Sequence, residues 1–373
     1  MKFIVPKDKL QRELAFVQSA VERRNTIPVL ANVLIESIGP DTLRISGTDL
    51  DVTIRVDLVV DSIPTAGAMC VQAKKLFDIA RVLPDGPVTF TGQDNDWVTV
   101  EAGNSSFKLP GISKDTFPEL PAFQATPQSI NAALLTSLIQ ETIFCISQEE
   151  GRYTLSGAKF EITKERTRVI TTDGHRLALA ETNGAVNLQD DVDSLEVLIP
   201  RKTLVELTKV CAGFDGNVAF GLDENHVYFQ VGTRSIISRL LSGQFPNYEM
   251  VLPKNNSNVA TFNRAELAQA LKRMHLMADG RSHQITLEVK EDQTIISAQS
   301  QEEGEGTEIV SSALTGDQVA IGFNAQYLQD VLNVTSTEKI DFHYKDEHTQ
   351  VEFRPVGDQQ PHHMTQVVMP MRR

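Results

Sequence analysis

Leu43-Arg44-Ile45-Ser46-Gly47-Thr48-Asp49 alternates apolar and polar residues before it ends in a Thr-Asp pair, which predicts a half-buried strand. The chain repeats this segment as Arg168-Val169-Ile170-Thr171-Thr172-Asp173, and the two closing Asp residues stand 124 positions apart. A strand that recurs at so long an interval indicates duplicated structural repeats. The 373-residue chain is long enough for two or three domains with cores of their own.

Two other landmarks recur at matching intervals. The first is a helical segment followed by a strand, and the equivalent acidic residues in its three copies are Asp78, Glu206 and Asp330. The second is an aromatic residue or Met followed by Pro, found at Phe117-Pro118, Phe245-Pro246 and Met369-Pro370. Successive acidic residues, like successive prolines, are separated by 128 and then 124 positions. These landmarks predict three repeats, which we place at residues 1–125, 126–254 and 255–373.

Each repeat has the same predicted order of helices and strands. Apolar residues at helical spacing open the first repeat between Leu10 and Val21, and a second helix follows later in each repeat. Alternating runs such as Ile285–Val289 predict strands between the helices. We therefore expect an α+β fold with antiparallel sheets and two helices per repeat on one face. Short linkers at residues 121–127 and 253–258 should hold the repeats in a fixed arc.

Composition argues against several protein classes. No run approaches 18 consecutive apolar residues, which predicts no membrane span, and the N-terminal segment lacks the apolar core of a signal peptide. We therefore expect a cytoplasmic protein. Cys70, Cys145 and Cys211 lie far apart and outside any CxxC pair, so we expect reduced core residues rather than metal ligands.

The distribution of charge along the chain bears on nucleic-acid binding. The formal net charge of −14 by itself argues against a DNA-binding protein. The six predicted helical segments, however, carry +6, so the remainder of the chain carries −20. Helices favour Lys and Arg by propensity, which is one explanation of the difference. The other is a helix-lined channel that faces phosphates, and binding in such a channel would be weak, salt-sensitive and independent of base sequence.

Two segments contain residue types that occur in catalytic or metal sites. Asp173-Gly174-His175-Arg176 brings a carboxylate near an imidazole, but no GxSxG nucleophile accompanies it, and Asp-Gly after a strand is a turn signal. Adjacent strand residues face opposite sides, so His362-His363 cannot easily share one metal, and we expect a solvated loop there. The chain has no GxxxxGK[ST] or GxGxxG motif. We therefore expect no enzyme activity, no metal and no cofactor.

Repeat three contains two unusual segments. Residues 301–308 are strongly acidic, which indicates either a solvated loop or edge strand, or a partner for the basic Lys74, Lys75 and Arg81 of a second copy. Contact between such unlike ends closes a ring when the rotation closes. Residues 367–373 are apolar almost to the last residue, which favours a final strand or a groove for peptides. We expect deletion of these residues to abolish peptide binding and to leave a dimer intact.

Several segments resemble the bacterial sliding clamps, the beta subunits of the replicative DNA polymerase III holoenzyme. The resemblance spans the whole chain, and its most specific segments are Gly47–Leu50, Thr172–Leu177, Phe245–Tyr248, Ile321–Asn324 and Val367–Arg372. It implies three clamp domains with antiparallel sheets outside and two helices each lining the inside of a ring. It also implies a head-to-tail homodimer that encircles double-stranded DNA as a processivity factor. The implied partners are a clamp loader, replicative and repair polymerases, and other clamp-motif proteins.

The resemblance further assigns residues to three surfaces. The peptide-binding pocket maps onto Leu155, Thr172, Gly174, His175, Arg176, Leu177, Pro246, Met250, Val251, Val367, Val368, Met369, Pro370, Met371 and Arg372. The DNA contacts map onto Arg24, Tyr153, Arg201, Lys202, Asn324 and Tyr327. The dimer interface maps onto Lys74, Phe107, Leu109, Leu276, Met277, Glu302, Glu303 and Glu305.

Four residues depart from the family pattern. Met250 and Arg373 stand where well-known members have an Arg at the pocket rim and an apolar last residue, so we expect an altered peptide preference. Glu149 and Thr154 stand where those members contact DNA through Gln and Tyr. Two alternative functions stay open on the sequence, namely a clamp paralogue that serves drug resistance and an acidic scaffold protein that does not contact DNA.

Overall fold

A computed structural model of the chain describes residues 1–21, 27–121, 127–149, 151–184, 186–188, 193–357 and 362–372. The chain divides into two compact units. Unit 1 comprises Met1–Thr136 and Lys202–Leu240, and unit 2 comprises Ser137–Arg201 and Leu241–Arg373. Among the described residues, no helix is long and apolar enough to cross a membrane.

In the described part of the chain, six α-helices occur in pairs that follow the sequence repeats. They are α1 (Lys7–Ala20) and α2 (Ala73–Val82), α3 (Ala132–Gln140) and α4 (Arg201–Cys211), and α5 (Arg264–His275) and α6 (Ala325–Val334). The side chains of Asn263 and Asn324 cap α5 and α6 by accepting hydrogen bonds from backbone N–H groups of the first turn. The helices predicted in each repeat are thus confirmed, and together these six carry a net charge of +6.

The strands of the described residues follow in chain order. Repeat one contains β1 (Lys2–Pro6), β2 (Asn32–Ser37), β3 (Thr42–Thr48), β4 (Val52–Val59), β5 (Ser62–Thr65), β6 (Ala68–Gln72), β7 (Pro87–Gly92), β8 (Val98–Ala102), β9 (Ser105–Leu109) and β10 (Gly111–Ile112). Repeat two contains β11 (Gln128–Asn131), β12 (Gly157–Thr163), β13 (Arg166–Thr172), β14 (Arg176–Asn183), β15 (Val186–Asn187), β16 (Ser194–Pro200), β17 (Asn217–Leu222), β18 (His226–Val231) and β19 (Arg234–Arg239). Repeat three contains β20 (Asn258–Asn263), β21 (Gln284–Val289), β22 (Gln293–Ser300), β23 (Gly304–Thr315), β24 (Val319–Asn324), β25 (Lys339–Tyr344), β26 (Val351–Val356) and β27 (His363–Val368).

These strands form antiparallel sheets in both compact units. Unit 1 contains a five-stranded sheet in the order β5-β1-β7-β8-β9, and a second sheet in which β10-β6-β2-β3-β4-β19-β18-β17-β11 are neighbours. Unit 2 contains a twelve-stranded sheet in the order β16-β12-β13-β14-β27-β26-β25-β20-β23-β22-β21-β24. The α+β expectation is therefore confirmed.

The repeats join through equivalent strands. In unit 1, β4 of repeat one pairs with β19 of repeat two, so that Ile54 lies opposite Ile236. In unit 2, β14 of repeat two pairs with β27 of repeat three, so that Leu177 lies opposite Val367. Because β4 and β14 both follow the repeated Thr-Asp turn, the two junctions use the same element of the repeat.

The burial predicted from the sequence is confirmed for the cysteines and wrong for one histidine. Cys70, Cys145 and Cys211 are free and buried, as predicted, and burial raises the pKa of Cys70 to about 12. The expected solvated loop at His362 is wrong. Its side chain is buried against the Glu141 carboxylate, because β27 begins at the next residue, His363, and pairs with β14.

The two predicted linkers differ in how far the structure describes them. The linker at 121–127 lies mostly outside the described residues. The linker at 253–258 is held in place, because the side-chain amide of Asn256 donates hydrogen bonds to the carbonyl oxygens of His343 and Gln350, both at 3.1 Å.

Candidate functional site

The turn between β13 and β14 is organised by the carboxylate of Asp173. Its Oδ1 accepts hydrogen bonds from the backbone N–H groups of His175 and Arg176, and its Oδ2 accepts one from Arg176 Nε at 2.9 Å. Gly174 has φ of +87°, which glycine adopts without steric cost. The predicted turn is confirmed. Asp173 orients the arginine rather than the His175 ring, so the pair lacks the geometry of a base and its orienting group.

Arg176 lies beneath this turn with its guanidinium largely buried. Nη1 donates to Asp330 Oδ2 at 2.6 Å, and Nη2 donates to the carbonyl oxygen of Phe144 at 2.9 Å. The guanidinium also lies over the rings of Tyr327 and Phe144, at 4.3 and 5.2 Å from the centroids. Burial disfavours the charge, but Asp330 and Asp173 outweigh it and raise the pKa of Arg176 above its ordinary value.

An apolar cavity of about 140 Å³ opens beside this arginine. The residues that line it are Leu155, Thr172, Gly174, Arg176, Leu177, Pro246, Tyr248, Val251, Val367 and Met369. Nine of these ten belong to the pocket set inferred from the sequence. The lining is mostly apolar, with one buried cation at its edge, which is the composition of a small-ligand or peptide-anchor site.

The other six residues of the inferred pocket set lie around this cavity or away from it. Val368 is buried in the core of repeat three. His175 is exposed and stacks its ring on Tyr327, with 6.4 Å between the centroids, while Met250 is 78% exposed. The remaining three residues of the inferred set line a separate cavity with Gly322, and they are Pro370, Met371 and Arg372. Met371 donates its backbone N–H to the carbonyl oxygen of Gly322 at 2.8 Å, which holds the tail there.

Sequence reasoning missed three residues of this site. Tyr248 lines the cavity and donates its hydroxyl to Glu161 at 2.7 Å, and burial together with that hydrogen bond raises its pKa to about 12. Phe144 and Asp330 hold the guanidinium from below. Tyr248 follows the recurring Phe245-Pro246 pair, which is a usable signal, whereas Asp330 was recognised only as a landmark of the repeat.

Comparison with known proteins places the whole chain in one family. Family models of the DNA polymerase III beta subunit match its N-terminal domain at residues 1–121, its central domain at 129–247 and its C-terminal domain at 249–372. The beta sliding clamp of Pseudomonas putida is 32% identical over 376 residues, with 100% of both chains covered. The chain belongs to the DNA polymerase III beta-subunit family of sliding clamps.

Solved sliding clamps share this architecture. The clamp of Pseudomonas aeruginosa bound to griselimycin matches with a TM-score of 0.93 at 32% identity, and the clamp of Bartonella birtlesii bound to griselimycin matches with 0.93 at 31% identity. Each comparison covers 100% of both chains. The protein is therefore a sliding clamp with three clamp domains, a non-catalytic processivity factor of DNA polymerase III.

The residues of this clamp inferred to contact DNA have different surroundings. Arg24 lies outside the described residues. Tyr153 and Arg201 are exposed. Lys202 is already paired, since its Nζ donates to Asp49 and to the carbonyl oxygen of Ala20. Asn324 caps α6, and Tyr327 stacks on Arg176. The last three side chains thus have structural contacts in addition to any contact with a phosphate.

The residues of this clamp inferred to form a dimer interface differ in exposure, since Leu109 is buried and Met277 packs half-buried against the core of repeat three. Lys74 is exposed on α2, and β9, which contains Phe107 and Leu109, is the last strand of its sheet. Leu276 is 74% exposed just beyond α5. Glu302 and Glu303 lie in the turn between β22 and β23, and Glu305 lies on β23.

Proposed function

We propose that this sliding clamp closes head-to-tail around duplex DNA in the cytoplasm as a homodimer and tethers polymerases through the Arg176 pocket. The ring is inferred from the junction between repeats. This junction occurs twice within the chain, as the antiparallel pairs β4 with β19 and β14 with β27. A third junction of this kind, between repeat three of one subunit and repeat one of its partner, would close the assembly.

The strand edges support this third junction. Along Gly304–Ser311, β23 pairs with β22, and its other edge is without a strand partner among the described residues. β23 follows a hairpin turn as β4 and β14 do, and β9 is the last long strand of repeat one, as β19 is the last strand of repeat two. Exposed pairing edges ordinarily associate or are protected, so we infer that β23 pairs with β9 of the partner.

The charges support the same contact. In unit 1, Asp49 of the turn after β3 binds Lys202, the second residue of α4. The equivalent turn after β22 presents Glu302 and Glu303, and the second residue of α2 is Lys74. We infer that this turn binds Lys74 of the partner as Asp49 binds Lys202.

Polymerase tethering rests on the cavity beside Arg176. Its volume suits one or two apolar side chains of an extended segment, with the buried arginine available to a backbone carbonyl or carboxylate. Two similar clamps are solved bound to griselimycin, and we propose that griselimycin also binds this clamp, in this pocket.

Topological binding is tested on nicked circular plasmid with an ATP-driven clamp loader of the same source. We expect the clamp to stay on the circle through gel filtration and to leave when the plasmid is cut. Equal retention on linear and circular DNA would refute encirclement. Lys74→Glu should yield monomers by light scattering, and Lys74→Glu with Glu303→Lys should restore the dimer. A dimer unaffected by Lys74→Glu would refute the proposed charge contact.

The DNA-facing role of the helices is tested by Arg201→Ala. We expect loaded clamp to dissociate from short open DNA faster and with a weaker dependence on salt, because one phosphate contact is lost. Arg354→Ala is the matched control, since Arg354 lies on β26 and pairs with Glu352. Equal residence times for the two variants would argue against a DNA contact at Arg201.

A further inference from the structure

The guanidinium of Arg176 is held by groups from both neighbouring repeats. Repeat two supplies the Asp173 carboxylate and the Phe144 carbonyl oxygen and ring. Repeat three supplies Asp330 and Tyr327, both on α6. A long flexible side chain loses much rotamer freedom when fixed, so its place at the cavity edge depends on these contacts.

The contact with Asp330 is the strongest candidate for setting the direction of the guanidinium. It is a charge-assisted hydrogen bond of 2.6 Å in a largely buried position. Asp330 is itself fixed, because its Oδ1 accepts a hydrogen bond from Gln326 Nε2 at 2.7 Å. Gln326 and Asp330 both lie on α6, so one helix supplies the carboxylate and the side-chain amide that fixes it.

Tyr327 contributes through its ring rather than through its hydroxyl. The Arg176 guanidinium carbon lies 4.3 Å from the ring centroid, so the ring covers one face of the cation, while the ring of Phe144 lies over it at 5.2 Å. The hydroxyl is not needed for this stack. It is therefore available for the DNA contact inferred from the sequence.

We propose that Asp330 and the ring of Tyr327 are positioning residues for the pocket arginine, so that peptide binding depends on α6 although α6 does not line the pocket. The inference rests on the proposed function, because it assumes that the Arg176 cavity is the ligand site. It assigns Tyr327 two separable roles, one for the ring toward the pocket and one for the hydroxyl toward DNA.

The first test measures griselimycin affinity by calorimetry on the full-length dimer. We expect Asp330→Asn to weaken binding about tenfold, the order expected for loss of one charged hydrogen bond. Asp341→Asn is the matched control, since its carboxylate is 26% exposed against 21% for Asp330 and bonds Thr261 on β20. Equal affinities of Asp330→Asn and wild type would refute the positioning role.

A pocket variant separates failure of this inference from failure of the proposed function. Leu155 lines the cavity, so Leu155→Ala should weaken griselimycin binding whatever the role of α6. If wild type does not bind griselimycin, or if Leu155→Ala binds it unchanged, the pocket assignment itself fails. If Leu155→Ala weakens binding and Asp330→Asn does not, the pocket assignment is supported and the positioning role of Asp330 is refuted.

A double-mutant cycle distinguishes positioning from a general structural effect. In an Arg176→Ala background, Asp330→Asn should cause no further loss of affinity, because its effect passes through the guanidinium. Independent losses that multiply would overturn the proposal. Tyr327→Phe should keep griselimycin affinity and shorten the lifetime of loaded clamp on DNA, whereas Tyr327→Leu should weaken both. Equal griselimycin affinities for the Phe and Leu variants would exclude a role for the ring.

Discussion

Shortening the C-terminal tail in two steps should separate its structural part from its ligand-binding part. Val367 and Val368 are 1% and 0% exposed, and they pair with Leu177 and Arg176 of β14. Full burial of a Val side chain stabilises a fold by about 1.5 to 3 kcal/mol. Loss of both should therefore lower the free energy of unfolding by about 3 to 6 kcal/mol, a large fraction of the roughly 5 to 15 kcal/mol of a typical domain.

A chain that ends at Gln366 should consequently melt at a markedly lower temperature and lose dimer as well as griselimycin binding. A chain that ends at Met369 keeps both valines and the cavity wall. It loses the hydrogen bond from Met371 to Gly322, which contributes about 1 kcal/mol. We expect it to retain the dimer and most of the affinity. Calorimetry, light scattering and griselimycin titration of both chains check this.

The refuting result is a chain ending at Gln366 with the melting temperature of the full-length protein. That outcome would show that β27 contributes little to the fold of repeat three. The structure thus changes the expectation drawn from the sequence, in which removal of residues 367–373 leaves the dimer intact, because the first two of these residues are core residues of unit 2.

Three further perturbations have defined outcomes. Leu276→Ala with Met277→Ala should give monomers by light scattering, since buried apolar contacts dominate such interfaces. Leu50→Gly should stabilise the protein by about 1 kcal/mol in thermal unfolding, because Leu50 has φ of +81°. Burial by itself raises the pKa of Glu13. Hydrogen bonds from Arg234 and Arg12 outweigh the effect of burial, so the pKa of Glu13 lies below its usual value near 4.5. Its contribution to stability is therefore present above that pH and lost as the pH falls, so Glu13→Gln should flatten this part of the acid unfolding curve.

The repeat could be predicted because its landmarks are local. The Thr-Asp strand end at Thr172-Asp173 and the helix around Lys74 are decided by residues within a few positions of each other, and the structure has them where the spacing predicts. The proposed repeat boundaries near residues 125 and 254 stay predictions. The pocket itself followed from resemblance, since no local pattern makes Leu155 and Met369 neighbours.

What escaped prediction depends on contacts between distant segments. Asp330 binds Arg176 across 154 positions, and His362 meets Glu141 across 221. The residues next to Asp330 and His362 in the sequence do not indicate which side chain each of them contacts. A lone His before a strand is more often solvated, and only the pairing of β27 with β14 brings His362 against the end of α3. Such pairs become visible once the order of the strands is known.

The two intrachain junctions differ in the residues at the repeated turn. The residue 124 positions before Arg176 is Val52, which is buried, so the first junction has no cation at that place. Gly174 of the second junction corresponds to Leu50, which has a similar positive φ but carries a side chain. At the first junction Lys202 pairs with Asp49. At the second junction the equivalent Asp173 pairs with Arg176 instead. The three repeats therefore share a fold and a mode of joining, while a few side-chain differences at the turn place the buried arginine and its apolar cavity at the junction between repeats two and three.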